Sequence, residues 1–156
     1  MTDPPPYRPT DRRPLAARDW RGSRVAAEWL ARRGASPNGI SIVGMACALA
    51  AGGCFSMTGF APEWARPAWL LGAGLILLRG AANMLDGMVA VASGKASPVG
   101  ELFNEVPDRV SDAATLIGLG YAAGGDTILG YGAALAAVFT AYVRAMAKVA
   151  GAPQDY

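Results

Sequence analysis

The sequence predicts an all-α membrane protein: a bundle of four transmembrane helices preceded by an amphipathic helix at the membrane interface. Three observations lead there. Hydrophobic residues make up 53% of the 156 and charged residues only 17%, against roughly 25% charged in a typical soluble domain. Four long apolar runs follow one another, separated by short Gly-, Pro- or Asp-containing breaks. Eight of the 14 basic residues, all Arg, precede residue 34 and flank the first run, as the cytoplasmic side of a membrane protein does. The 20 glycines fit the same class, since Gly is more frequent in spanning helices than in soluble ones.

The elements follow in order. Residues 1–14 are rich in Pro and Arg without apolar periodicity, which predicts a disordered cytoplasmic arm. No apolar signal-peptide core follows it. Residues 15–33 predict a helix. Leu15, Gly22, Val25, Ala26, Trp29 and Leu30 can share one face, with Arg18, Arg21, Arg24, Arg32 and Arg33 over much of the rest. The pattern suits a helix lying in the interface with its Arg residues toward lipid phosphates, or one packed on protein. Residues 15–38 are therefore an interfacial helix and linker, 39–150 the transmembrane domain and 151–156 a tail.

Within that domain the first run extends from Ile40 to about Phe60, long enough to span a bilayer. Pro62, Trp64, Pro67 and Trp69 make a turn with interfacial aromatics. The second run, Ala68 to about Val91, acquires Arg79, Asn83 and Asp86, whose i, i+4, i+7 spacing puts them on one face. Ionisable groups in a spanning helix usually face a cavity, a partner or a substrate path. A loop over Ala92–Pro98 carries Lys95. The third run, Val99 to about Ala123, is polar on one face in its first half and apolar in its second. Gly124, Gly125 and Asp126 form a turn. The fourth run, Thr127 to about Ala150, is apolar until Arg144 and Lys148.

Basic residues gather before the first run, at Lys95 and near the end of the fourth. The expected topology therefore puts both termini and the Lys95 loop in the cytoplasm, in a cytoplasmic or bacterial inner membrane. Gly72, Gly74, Gly80, Ala81, Gly118, Gly120, Gly130 and Gly132 favour close helix packing or homodimerisation. The absence of His excludes His metal sites, His bases and a Ser-His-Asp triad. Cys47 and Cys54 stand roughly 10 Å apart along a helix, beyond disulfide reach, and read as small apolar residues. The Arg cluster implies a lipid surface and no nucleic-acid partner.

The stretch Asn83–Asp112 concentrates carboxylates and carboxamides in an otherwise apolar context. Two helices with such groups facing each other across a short loop make a cation and phosphate site. Pro107 lies in the polar half of the third run, where its missing N–H releases the Phe103 carbonyl and favours a kink.

Those residues carry a family resemblance. Asn83, Asp86, Gly87, Ala90, Val91, Gly100, Asn104 and Asp108 keep the spacing of the signature D-x2-D-G-x2-A-R-x8-G-x3-D-x3-D. The stretch resembles the CDP-alcohol phosphotransferase family, integral membrane enzymes of phospholipid synthesis. Asp86-Gly87, Ala90, Gly100 and Asp108 match; Asn83 and Asn104 stand where the family has Asp, and Val91 where it has Arg. Ser36-Pro37-Asn38-Gly39-Ile40-Ser41 is similar to the entry of the family's first span. The family generally has six spans, against the four placed here.

The resemblance implies transfer of a phosphatidyl or related group from a CDP-linked lipid, usually CDP-diacylglycerol, to an alcohol acceptor, with release of CMP. It implies Mg²⁺ or Mn²⁺ held by Asp86, Asp108, Asn83 and Asn104, with Asp108 also the base for the incoming hydroxyl. Gly87, Ala90 and Gly100 would let the helices and the cytidine nucleotide approach. Mg²⁺ prefers such hard oxygen donors, but two Asn for two Asp take the four-position set from −4 to −2, which suits one divalent ion better than two. Glu101 and Asp112 are auxiliary candidates for the metal, unless Asp112 pairs with Arg79 or Arg109 and Glu101 and Glu105 are solvated. Lys95 and Arg144 are candidates for phosphate contacts. The alternatives are a catalytically impaired relative that binds lipid, nucleotide or a partner enzyme, and a shortened chain.

Overall fold

A computed structural model describes residues 20–94 and 98–151, leaving aside the side chains of 98, 99, 101 and 102. Among the described residues the regular elements are helices: α1 (Arg21–Arg32), α2 (Pro37–Phe60), α3 (Ala65–Ala92), α4 (Pro98–Gly120) and α5 (Thr127–Val149), with a 3-10 turn, Pro62–Trp64, before α3. The expected arm at 1–14, residues 15–19 of the expected interfacial helix and the tail from 152 lie outside them, as does Lys95.

Local chemistry explains the ends. Ser36 caps α2 by accepting from the Gly39 amide at 3.4 Å, and Pro37 takes the first position, where its missing N–H costs nothing. Asp126 caps α5 through the Leu129 amide at 3.0 Å. α1 stops at Gly34, whose φ of 75° lets the Ala35 amide reach back to Leu30 O at 3.0 Å. A residue with a Cβ adopts that left-handed conformation only at a cost.

Three helical stretches are long and apolar enough to cross a membrane: Pro37–Phe60, Pro62–Ala92 and Thr127–Val149. The protein is thus an all-helical membrane protein with three such stretches among the described residues, where the sequence led us to expect four. α4 has the same 23-residue length as α5. Its first four turns hold Glu101, Glu105, Asp108, Arg109 and Asp112, and those charges keep it out of the apolar set. The helix continues through Pro107.

α2 lies between α3 and α4, which scarcely touch each other; α5 packs on α4, and α1 on α3. Small residues make the seams. A Cβ on Gly52 would run into the Ala114 backbone carbonyl, and one on Gly118 into Gly52 itself. Gly44 faces Ala82, Gly72 is covered by the Phe55 ring, and Gly120 meets Gly130. By contrast Gly74, Gly80 and Gly132 have open space where a Cβ would be. Small size thus serves internal packing at some of the positions we singled out and not at others.

At the end away from α1, Ala51, Phe55 and Ala122 form a core with Leu75, Ile76 and Leu119. Thr58 is fully buried there; its Oγ1 donates to Phe55 O and accepts from the Ala123 amide at 3.0 Å, tying α2 to the turn after α4. The outer faces carry exposed Leu70, Leu77, Ile128, Leu129 and Leu135. Soluble monomers rarely expose so much contiguous apolar surface; lipid is the solvent that suits it. α1 packs through Ser23 and Ala27, leaving Val25 and Trp29 exposed. Its apolar residues therefore face outward, and its small ones meet α3.

Candidate functional site

The polar groups converge at the α1 end, in the crevice that α3 and α4 leave open, with α2 as its floor. Its lining is Ser41, Gly44 and Met45 from α2, Arg79, Asn83 and Asp86 from α3, and Asp108 and Ser111 from α4. The i, i+4, i+7 spacing turns Arg79, Asn83 and Asp86 inward together, as a shared helix face requires.

Asp86 is the deepest of these, 3% exposed. A buried carboxylate needs donors on its oxygens. Ser41 Oγ donates to Oδ2 at 2.7 Å, and the Gly87 amide donates to Oδ1. Ser41 Oγ is also 3.2 Å from Asn104 Oδ1, so one hydroxyl on α2 links motif residues of α3 and α4. Asp108 is held from across the crevice. Arg79 Nη2 donates to its Oδ1 at 3.0 Å and Asn83 Nδ2 to its Oδ2 at 3.2 Å.

Around this lies a second set of charges. Arg79 Nη2 also reaches Asp112 Oδ1 at 3.3 Å, and Arg109 Nη1 meets Asp112 Oδ2 at 3.3 Å. Arg109 Nε lies 3.3 Å from Glu105 Oε1, near enough for an ion pair but not aligned for a hydrogen bond. Asp112 thus serves as an anchor for two arginines, the structural role that competed with metal binding in the sequence. Glu105 is half exposed but paired. The buried Ser111 hydroxyl donates back to Pro107 O at 2.7 Å, and is satisfied within α4.

The other candidates fall around this centre. Gly87 has open space where a Cβ would stand; Ala90 and Gly100 are half-buried on α3 and α4. Arg144 is half-buried on α5, outside the crevice lining. Lys95 and the Glu101 side chain lie outside the described residues. The site residue that sequence reasoning passed over is Ser41. The signal for it was its place at the end of the Ser36–Ser41 entry to the first span, which carried no site role there.

The crevice encloses only about 10 Å³, on the order of the space one water molecule needs, against about 300–1,000 Å³ for sites that enclose a whole small-molecule ligand; an ion-sized group fits inside and a nucleoside does not. Its lining offers the carboxylates of Asp86 and Asp108 and the carboxamide of Asn83, with the Asn104 carboxamide beside it on Ser41; these oxygens are the hard type that Mg²⁺ and Mn²⁺ take. Among the described residues no three Asp, Glu, Cys or His side chains gather as a metal-binding group, and Arg79 already brings a positive charge to Asp108. One divalent ion suits this donor set; two do not. The chain matches no family model, no curated protein and no solved structure.

Proposed function

We propose that the protein is a membrane-embedded CDP-alcohol phosphotransferase, transferring a phosphatidyl or related group from a CDP-linked lipid to an alcohol. The observation that carries this reading is convergence. Asn83, Asp86, Asn104 and Asp108, spaced as in the family signature and carried on two helices that barely touch, come together at one crevice: Asp86 and Asn104 on Ser41 of a third helix, Asn83 against Asp108. α4 then serves as a fourth span, its charged face turned to α2 and α3. In that topology both termini and the crevice face the cytoplasm, where CDP-lipids present their nucleotide.

In the reaction the acceptor oxygen bonds to the phosphatidyl phosphorus as the pyrophosphate bond to CMP breaks. The hydroxyl proton passes to the Asp108 carboxylate. A carboxylate offers about four lone-pair sites, and Arg79 and Asn83 use two of them, orienting Asp108 and leaving capacity for the proton. Asp86, with the carboxamides of Asn83 and Asn104, would hold one Mg²⁺ or Mn²⁺. That ion would supply charge neutralisation on the pyrophosphate, which displacement at phosphorus needs. The phosphates meet the mouth of the crevice, and the nucleoside lies outside it, over Gly87.

The Arg79–Asp108 ion pair favours a second reading, a catalytically impaired relative that binds CDP-lipid without turning it over. The two separate in one assay. Membranes containing the protein receive radiolabelled CDP-diacylglycerol, Mg²⁺ or Mn²⁺ and a panel of alcohols, and CMP release is followed. We expect release, reduced at least ~100-fold in Asp108→Asn, the usual scale for removing a general base. A folded protein that releases no CMP with any acceptor refutes the enzyme reading. CDP-lipid binding without release establishes the second.

A further inference from the structure

One donor to the crevice carboxylates is a full positive charge. Arg79 Nη2 bridges Asp108 and Asp112, both on α4. Asn83 adds an N–H to the other oxygen of Asp108. An Asp in place of Asn83 would set a second carboxylate against Asp108 with no proton between them, and like charges at that range disfavour ionisation of both.

Position 104 follows the same logic. Ser41 has one proton and three acceptors nearby: Asp86 Oδ2 at 2.7 Å, Asn104 Oδ1 at 3.2 Å and Pro37 O at 3.2 Å. The short, charge-assisted contact to Asp86 takes the proton. The contact to residue 104 is then favourable when the amide turns to present Nδ2–H to Ser41 Oγ, a choice that amide geometry leaves open. Asn can make that turn; Asp cannot. The two Asn residues thus offer amide donors where Asp would offer only acceptors: Asn83 against Asp108, between α3 and α4, and Asn104 against Ser41, between α4 and α2.

We propose that Arg79, with Asn83 and Asn104, is the resident counter-charge of this crevice: it joins α3 to α4 without a divalent ion and leaves room for at most one. The inference rests on the crevice being the site of the proposed reaction, but its test does not depend on turnover. The full-length protein is purified in detergent. Thermal unfolding is followed in EDTA and in Mn²⁺, and bound Mn²⁺ is counted from the loss of the free-ion electron paramagnetic resonance signal.

The wild type should unfold cooperatively in EDTA and bind no more than one Mn²⁺ per chain. Arg79→Met should lower the Tm in EDTA by roughly 5–10 °C, on the usual scale for a chain of this size. Asn83→Asp/Asn104→Asp should fall similarly in EDTA, recover in Mn²⁺ and bind more Mn²⁺ than the wild type. A wild type that binds two Mn²⁺ per chain overturns the proposal. So does a double variant as stable in EDTA as the wild type. If the double variant does not fold, the wild-type stoichiometry decides alone. Absence of CMP release would sink the enzymatic reading and leave this one standing.

Discussion

Gly52 and Gly53 are neighbours on α2, yet the structure assigns them opposite responses to the same substitution. A Cβ on Gly53 meets nothing within 4 Å. Gly53→Ala therefore adds helix propensity, about 0.8–1.0 kcal/mol on peptide scales. A Cβ on Gly52 lands on the Ala114 carbonyl of α4, which is backbone and cannot swing aside. α4 has to back away by on the order of 1 Å to restore a normal separation of about 3.5 Å or more, and such a gap forfeits roughly a quarter to a half of each contact it opens. Overpacking of this kind costs about 1–3 kcal/mol. The propensity gain is common to both variants and cancels in their comparison. Gly52→Ala should thus unfold below Gly53→Ala by about 1–3 kcal/mol, or roughly 2–12 °C for a chain of this size. Thermal unfolding of the two purified proteins in one detergent measures it. Equal stability, or the reverse order, would refute the claim that α2 and α4 meet backbone to backbone at Gly52.

Two further outcomes follow from the crevice. Ser41→Ala removes the 2.7 Å bond to the buried Asp86, a hydrogen bond to a charged group worth about 1.5–3 kcal/mol; the Tm should fall by several degrees and CMP release with it, and Ser41→Thr should restore much of both. An unchanged Tm in Ser41→Ala would show that this hydroxyl does not hold the carboxylate. A Cβ on Gly87 meets nothing within 4 Å, so in Gly87→Ala the Tm should hold or rise while CDP-lipid binding weakens at least ~10-fold; binding at wild-type strength would remove the nucleoside from that face.

The helices were legible because composition and periodicity report directly on lipid exposure. Ile40–Phe60 and Thr127–Ala150 read as apolar runs, and α2 and α5 follow them to within a few residues. α4 was harder, because its charges are satisfied by groups far away in sequence: Asp108 and Asp112 by Arg79, about 30 residues earlier. The face shared by Arg79, Asn83 and Asp86 was visible from spacing alone, but which carboxylates Arg79 would pair with depends on the packing of α3 and α4 on α2. Ser41 was hidden for the same reason. A serine in the first turns of an apolar helix ordinarily bonds its own backbone, and this one also lies 3.2 Å from Pro37 O; only the approach of α3 adds Asp86. Gly52 was unremarked among 20 glycines, since sequence does not say which of them meets another helix.

The open angle between α3 and α4 also bears on how the chain enters a bilayer. Arg79 and Asp86 sit within a largely apolar helix of spanning length, and each such charge costs a lone inserting segment about 2.5–3.5 kcal/mol on translocon scales. The partners of Arg79 lie on the next helix to be synthesised, and the hydroxyl partner of Asp86 on the previous one. Compensation of the charges on α3 therefore comes in two parts: α2 supplies Ser41, and α4 the carboxylates that neutralise Arg79. A chain that ended before α4 would leave Arg79 without those carboxylates, so the charges of α3 are settled only when α2 and α4 are both in place.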